Sequence, residues 1–243
     1  MIRFAVKIAY DGSKFFGSQS QSSRLTVEDI LNEAFNRINI RSSSVVLAGR
    51  TDRGVHATGS IFHIDVPDFW TPEKLKYAIS RGLPNSLIIK TIFPVDNKFH
   101  ARFSAKRRVY RYIISSEDYR NPFQENYISF IKNGLDINKI AKAIKIFEGQ
   151  HDFKAFMKSG AIIENSVRTI FKTRVYKHKK LVVFLFEGNG FLRTQIRLMV
   201  NFLLKIGYNE LDIEQLKKQL FTGEPIFREP AQPNGLYLAK IIY

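Results

Sequence analysis

Two hydrophobic periods take turns along this chain, and their order restricts the fold more than any other feature. Ile2, Phe4, Val6, Ile8 and Tyr10 alternate with Arg3, Ala5, Lys7 and Ala9, a period of two that predicts a strand at the N-terminus and not a signal peptide. The stretch "DGSKFFGSQSQSS", residues 11–23, is rich in Gly, Ser and Gln and predicts a loop that exposes Phe15 and Phe16 beside Lys14. The period then changes to 3.6. Val27, Ile30, Leu31, Ala34, Phe35 and Ile38 share one apolar face, with Thr26 as N-cap and Asp29 placed to close a capping box. Val45 to Ala48 reads as a short buried strand, and Phe62, Ile64 and Val66 alternate in another, stopped by Pro67. Thr71 and Pro72 are N-cap and first residue of a second helix, and Ile88 to Val95 is again a strand. The order is strand, helix, strand, strand, helix, strand.

"DNKFHARFSAKRR" interrupts this pattern and places a boundary near residue 104, dividing the chain into 1–103 and 104–243. The second part repeats the alternation of elements without repeating the sequence. Val109, Arg111 and Ile113 alternate with Tyr110, Tyr112 and Ile114; Asp136 to Phe147 is helical, with Ile137, Ile140, Ile144 and Phe147 on one side. "SVRTIFKTRVYKHKKLVVFLFEG" predicts a hairpin whose second strand, Leu181 to Phe186, is apolar on both faces and therefore central. Helices over Phe191 to Ile206 and Asp212 to Phe221 precede a last strand, Leu236 to Ile242. The expected class is α+β: two ferredoxin-like halves, each an antiparallel sheet with helices on one face, with the free sheet faces forming a central cleft.

The 243 residues carry 38 Lys and Arg against 22 Asp and Glu, a formal charge of +16. That excess, spread over the whole chain, calls for a partner of dense negative charge, nucleic acid or an anionic membrane. No apolar stretch approaches the ~18–20 residues that span a bilayer, so no membrane role is expected. The absence of cysteine excludes thiolate ligands, thiol nucleophiles and disulfides, and suits a cytoplasmic protein. His56, His63, His100, His151 and His178 show no metal-ligand spacing, and neither a P-loop, a GxGxxG nor a Gly-x-Ser-x-Gly pattern occurs. Neither metal nor cofactor is expected.

Charge is concentrated in one further place. "AGRTDRGVHATG" puts Arg50 and Asp52 between two glycines and between apolar runs. A plain strand connection needs only glycine and solvated polar residues; an arginine two residues from an aspartate also keeps a carboxylate ionised and oriented, as a nucleophile or base requires. Lys106, Arg107, Arg108 and Arg111, with Lys14 and the "KHKK" hairpin tip, are candidate phosphate contacts, and Phe15, Phe16 and Tyr112 candidate aromatic neighbours. Arg193, Arg197, Asn201 and Lys205 fall at four-residue steps as one polar stripe on an otherwise apolar helix. His151 and Asp152 in "GQHDF" are accounted for by a turn or cap. Composition alone favours a non-catalytic tRNA- or rRNA-binding or RNA-folding protein over an enzyme.

"GRTDRGVHATG" resembles the signature loop of the TruA-type tRNA pseudouridine synthases. "YDGSKFFGSQSQ", "FHARFSAKRRVYRYII", "FEGQHDFKAF", "GNGFLRTQIRLMV" and "GLYL" resemble further motifs of that family in the same order, from Tyr10 to Leu238. The resemblance implies isomerisation of uridine to pseudouridine at positions 38, 39 and 40 of the anticodon stem-loop, without metal or cofactor. It assigns Asp52 as the catalytic carboxylate, Arg50 to the space left by the unstacked nucleotide, Tyr110 to the uracil face and to proton traffic, and Arg197 to a partnership with Asp52. Lys14, Phe15, Arg53, His56, Lys106, Arg107, Arg108, Arg111 and Arg193 are the expected RNA-binding residues, tRNA the expected partner, and a homodimer the expected assembly. The chain departs from the family pattern at Arg53, where Ala is usual, Ser18 (Trp), Ser60 (Gln) and Asn201 (Gly).

Overall fold

The computed structural model describes residues 1–22, 25–41, 44–115, 120–158, 160 and 164–243. In chain order the elements are β1 (Ile2–Tyr10), α1 (Val27–Arg37), β2 (Val46–Leu47), β3 (His56–Val66), α2 (Pro72–Ser80), β4 (Leu87–Val95), β5 (Arg107–Ser115), β6 (Ser129–Phe130), α3 (Ile137–Ala143), β7 (Gly149–Asp152), β8 (Val167–His178), β9 (Leu181–Gly188), α4 (Gln195–Gly207), α5 (Ile213–Thr222) and β10 (Leu236–Ile242). They form two units, Met1–Lys106 with Tyr237–Tyr243, and Arg107–Leu236. The last strand therefore belongs almost wholly to the first unit, a correction to the division at residue 104. Local periodicity identifies a strand but carries nothing about which distant edge it pairs with. The last position of the loop expected over 11–23 lies outside the described residues.

In the first unit the strand order is β4, β1, β3, β10, with β2 also on β3. The β1 pairings with β3 and β4 are antiparallel, but β10 runs parallel to β3, Tyr237 opposite His56 and Leu238 opposite Ala57. The sheet is thus mixed and not wholly antiparallel. Register decides the faces: Phe4 lies opposite Ile64 and Val6 opposite Phe62, and the Phe62 ring meets Phe35 of α1 edge-on at 6.0 Å. That face is apolar and packs on helix, whereas the next residues along, Arg3, Asp65 and His63, fall on the other face. Arg3 grips Asp65 with Nε and Nη2, both at 2.7 Å, and this pair raises the arginine's pKa and lowers the carboxyl's. The caps are as the sequence predicts. Thr26 and Asp29 complete a reciprocal box, and Thr71 caps α2 with Pro72 at its first turn, each cap contributing about 1 kcal/mol.

The second unit's sheet has the order β5, β9, β8, β7, with β6 parallel to β5. The doubly apolar β9 is central, between β5 and β8; Val182, Phe184 and Phe186 are buried, whereas on the other face Leu181, Leu185 and Glu187 are only half-buried. The helix expected over 136–147 is α3, capped by the Asp136 side chain, and tightens into a 3₁₀ turn over Ile144–Phe147. The helix expected from Phe191 begins only at Gln195, because Thr194 is left-handed at φ 67°. Phe147, Phe153, Phe156, Phe184 and Phe202 are fully buried and make the core of this unit. No helix among the described residues is long and apolar enough to cross a membrane.

Candidate active site

The Arg50–Asp52 loop connects Ala48 to β3, and β3 starts earlier than the alternation at Phe62 suggested, at His56. Its conformation is set by the residue between the two charges. Thr51 is buried: its N–H donates to Ser18 Oγ (2.8 Å), its carbonyl accepts from the Ser18 N–H (3.1 Å), and its Oγ1 shares a hydrogen bond with the Tyr10 hydroxyl (2.8 Å). With Thr51 turned inward, Arg50 is exposed and Asp52 half-buried. The loop then closes on itself, the Val55 N–H donating to the Asp52 carbonyl (3.1 Å) and the Gly54 N–H to the Gly12 carbonyl (3.2 Å). Gly54 takes φ 81°, a left-handed value that favours glycine. Gly49 is not among the glycines of positive φ, so only one of the two supplies that conformation.

Gly12 is required for another reason. A Cβ there would stand 2.0 Å from the Val55 carbonyl oxygen, so the "YDG" turn reaches the loop only because it has no side chain. Ser18 holds the loop through an atom that the family's usual tryptophan lacks. Neither role was visible in the sequence, where Ser18 registers as a departure and Gly12 as one turn glycine among several.

His56 and Phe15 are corrections. Both were expected to touch RNA. His56 is 2% exposed; its Nδ1 accepts the Gly12 N–H (3.1 Å) and its ring stacks on Tyr237 at 4.7 Å. It ties β3 to the turn at Gly12. Phe15 is 3% exposed and packs edge-on against Tyr10. The loop folds back on β1, and its first aromatic goes into the core. Phe16 stays half-buried with the Arg53 guanidinium 4.5 Å above its ring, and Lys14 is exposed.

The second unit carries Tyr110 and Arg197. Tyr110 is buried on β5, its ring edge-on to Phe191 at 5.3 Å. Tyr112, expected beside RNA, is fully buried; its hydroxyl donates to the Gln232 carbonyl (2.8 Å), and burial pushes its pKa up to about 12. Strand alternation explains both: Tyr110, Tyr112 and Ile114 lie opposite Phe186, Phe184 and Val182, on the apolar face. Arg197 Nε donates to the Ala231 carbonyl (2.7 Å) and its own carbonyl accepts the Ala231 N–H (3.0 Å). Asn201 Nδ2 donates to the Glu229 carbonyl (3.0 Å). The polar stripe of α4 thus holds the segment 229–231. Arg193 lies before the left-handed Thr194 and is not on the helix. Buried Gln195, which sequence reasoning passed over, shapes this turn by accepting the Leu192 N–H (2.7 Å).

The basic run does not form one row. Arg107 and Arg111 share a face of β5 while Arg108 turns to the other. Arg107 pairs with Glu187 (2.7 Å) and stands 5.0 Å over the Phe171 ring, and Arg108 donates to the Asn189 carbonyl (2.6 Å). Lys106, Arg111, Arg193 and residues 177–180 are exposed. His151 and Asp152, expected in a turn or cap, lie on β7 opposite Arg168 and Val167; the His151 ring bonds the Glu148 carbonyl and Asp152 accepts the Lys154 N–H.

A pinned loop that presents an arginine and a carboxylate, in an α+β chain of charge +16, fits an enzyme that works on an anionic polymer. Residues 6–104 and 143–243 match the model of the family described as tRNA pseudouridine synthase, and the chain belongs to that family. It is 39% identical to a tRNA pseudouridine synthase A of Limosilactobacillus reuteri over 100% of this chain and 97% of the relative. It is 39% identical to one of Pseudothermotoga lettingae over 99% of each, and 37% identical to one of Streptococcus mutans over 100% of this chain and 99% of the relative. Among solved structures, a chain of a Cbf5-Nop10-Gar1 complex is similar over 83% of this chain and 45% of its own, at 10% identity and a TM-score of 0.37.

Proposed function

We propose that the protein isomerises uridine to pseudouridine at positions 38, 39 and 40 of the tRNA anticodon stem-loop, with Asp52 as the catalytic carboxylate. The observation that carries this reading is the full-length likeness to tRNA pseudouridine synthases. The bond from N1 to C1′ breaks, the uracil turns, and C5 bonds to C1′; C5 gives up a proton, N1 gains one, and nothing is oxidised or hydrolysed. Asp52 acts through its carboxylate as nucleophile or base, a role that the anchoring of Thr51 supports by holding the neighbouring carboxylate in place. Arg50, exposed beside it, fills the space of the unstacked nucleotide. Tyr110 and Arg197 are the further residues proposed for the chemistry, Tyr110 offering its ring to the uracil and its hydroxyl to proton transfer and Arg197 supplying a cation. Incubation with unmodified tRNA followed by chemical mapping of pseudouridine tests the reading: new pseudouridine at 38, 39 or 40 supports it, and an unmodified tRNA refutes it.

Lys14, Arg53, Lys106, Arg107, Arg108, Arg111 and Arg193 are the proposed phosphate contacts. If four or more act together, log affinity falls against log salt by roughly 0.7–0.9 per phosphate, a slope steeper than about −3. A filter-binding titration between low and physiological salt checks this, and a flat response is incompatible with it.

The active assembly is a cytoplasmic homodimer in this reading, because a single pair of small α+β halves offers little surface to hold a tRNA while unstacking its loop. Light scattering at assay concentration is expected to give twice the chain mass; an active monomer contradicts it.

A further inference from the structure

The segment "FHARF" takes no part in the site above, yet it is among the most tightly held pieces of backbone in the first unit. Every N–H from Phe99 to Ser104 is bonded. Phe99 donates to the Asp96 carbonyl, His100 to Ser104 Oγ (3.0 Å) and Ala101 to His63 Nδ1 (3.1 Å). Arg102 and Phe103 both donate to His100 Nδ1 (3.2 Å each), and Ser104 to the His100 carbonyl (2.9 Å). Arg3 Nη1 donates to the Asn97 and Phe99 carbonyls and the Tyr243 hydroxyl to that of Ala101. His63 lies on the sheet face away from α1, so the segment covers that face.

At its tip, Phe103 is 76% exposed. A lone exposed aromatic needs no explanation, but this ring ends a series of tilted ring contacts, at 58° between His63 and His100 and 32° between His100 and Phe103. His63, 6% exposed, lies 4.9 Å from the half-buried His100, and His100 lies 4.3 Å from Phe103 with the ring planes at 32°. The Arg102 guanidinium sits 5.6 Å from the Phe103 centroid. Burial, then the charge of Arg3, pushes His63 down to about 4, so the inner end of this series of rings is neutral at physiological pH. A fixed backbone thus holds out a largely exposed aromatic ring with a cation over it, and the ordering of that surface is complete before any partner arrives.

We propose that Phe103 is a stacking platform for an unpaired base of the tRNA substrate, with Arg102 taking the adjoining phosphate. The inference rests on the reading of the chain as a tRNA-modifying enzyme. A base would lie against the exposed Phe103 ring, and aromatic stacking with a nearby cation is the usual means of holding single-stranded nucleotides. Arg102, Lys98 and Lys106 along the same segment, in a chain of charge +16, favour this anionic partner over a second copy of the equally basic chain.

Unmodified tRNA is titrated against the full chain and its Phe103→Ala, Phe103→Leu and Phe103→Trp variants. The Ala and Leu variants are expected to raise Kd and KM roughly five- to hundredfold, with kcat at saturating tRNA within about threefold of wild type, and Trp to restore binding. Emission of Phe103→Trp, corrected for the native Trp70, is expected to be quenched by tRNA and not by heparin, which supplies charge without bases. Wild-type affinity in the Ala or Leu variant overturns the proposal, as does quenching by heparin equal to that by tRNA. Loss of dimer mass in the Ala variant also overturns it and makes the ring a contact between copies. Should wild type bind tRNA but form no pseudouridine, the functional reading fails while the stacking result stands on its own.

Discussion

Asp52→Asn is expected to abolish pseudouridine formation, by about 10⁴–10⁶ in rate, and to leave tRNA affinity nearly unchanged. Asparagine keeps the shape of the side chain, and Thr51, Ser18 and Gly12 hold the loop backbone in place. What is lost is the charge and nucleophilicity of the group. Binding survives because it comes from many phosphate contacts, and removing one negative charge beside RNA tightens it slightly. Arg50→Ala is the informative comparison. Arg50 is exposed and is assigned to the opened nucleotide, so its loss lowers turnover and tRNA engagement together. Single-turnover kinetics with mapped pseudouridine, run beside filter binding, separates the two. An Asp52→Asn protein that still isomerises tRNA at a near-normal rate would reduce the loop to a strand connection. If neither wild type nor variant isomerises any tRNA but both bind it, the RNA-binding protein without catalysis becomes the better reading.

Gly12→Ala is expected to lower both stability and turnover without touching any group assigned to chemistry. The added carbon would stand 2.0 Å from the Val55 carbonyl oxygen and 2.4 Å from its carbon, both main-chain atoms that no rotamer change can move aside. Either the turn or the loop must shift. Such overpacking costs ~3 kcal/mol or more, about 6–12 °C in Tm for a chain of this size. The shift also strains the bonds from Gly54 to the Gly12 carbonyl and from Gly12 to His56, and so displaces Asp52. A misplacement of about 1 Å at a reacting group costs on the order of 10² in rate. Calorimetry and turnover, measured well below both melting temperatures, check the two effects independently; a variant with wild-type Tm and wild-type turnover contradicts the close approach.

Much of the fold was legible because its signals are local. The period-two run of β1, the capping box at Thr26 and Asp29, the proline after Thr71 and the doubly apolar β9 each lie within a dozen residues, and each describes the environment of its own element. The family motifs are short runs of the same kind, and the proposed roles of Arg50, Asp52, Tyr110 and Arg197 rest on them. The failures share a different character. Phe15 looked like a surface aromatic because it sits in a polar loop, but the loop folds back on β1. Tyr112 looked like part of a basic, aromatic groove, but strand alternation sends it to the apolar face with Phe184. Arg193 looked helical until Thr194 turned left-handed. By itself the sequence determined most of the elements, most of their caps and the family to which the chain belongs. Only the tertiary structure decided that β10 joins the first unit parallel to β3, that Gly12 must lack a side chain and that Ser18 holds Thr51, because these are contacts between residues far apart in the chain, whose cost in chain entropy is repaid only once the whole unit has closed around them.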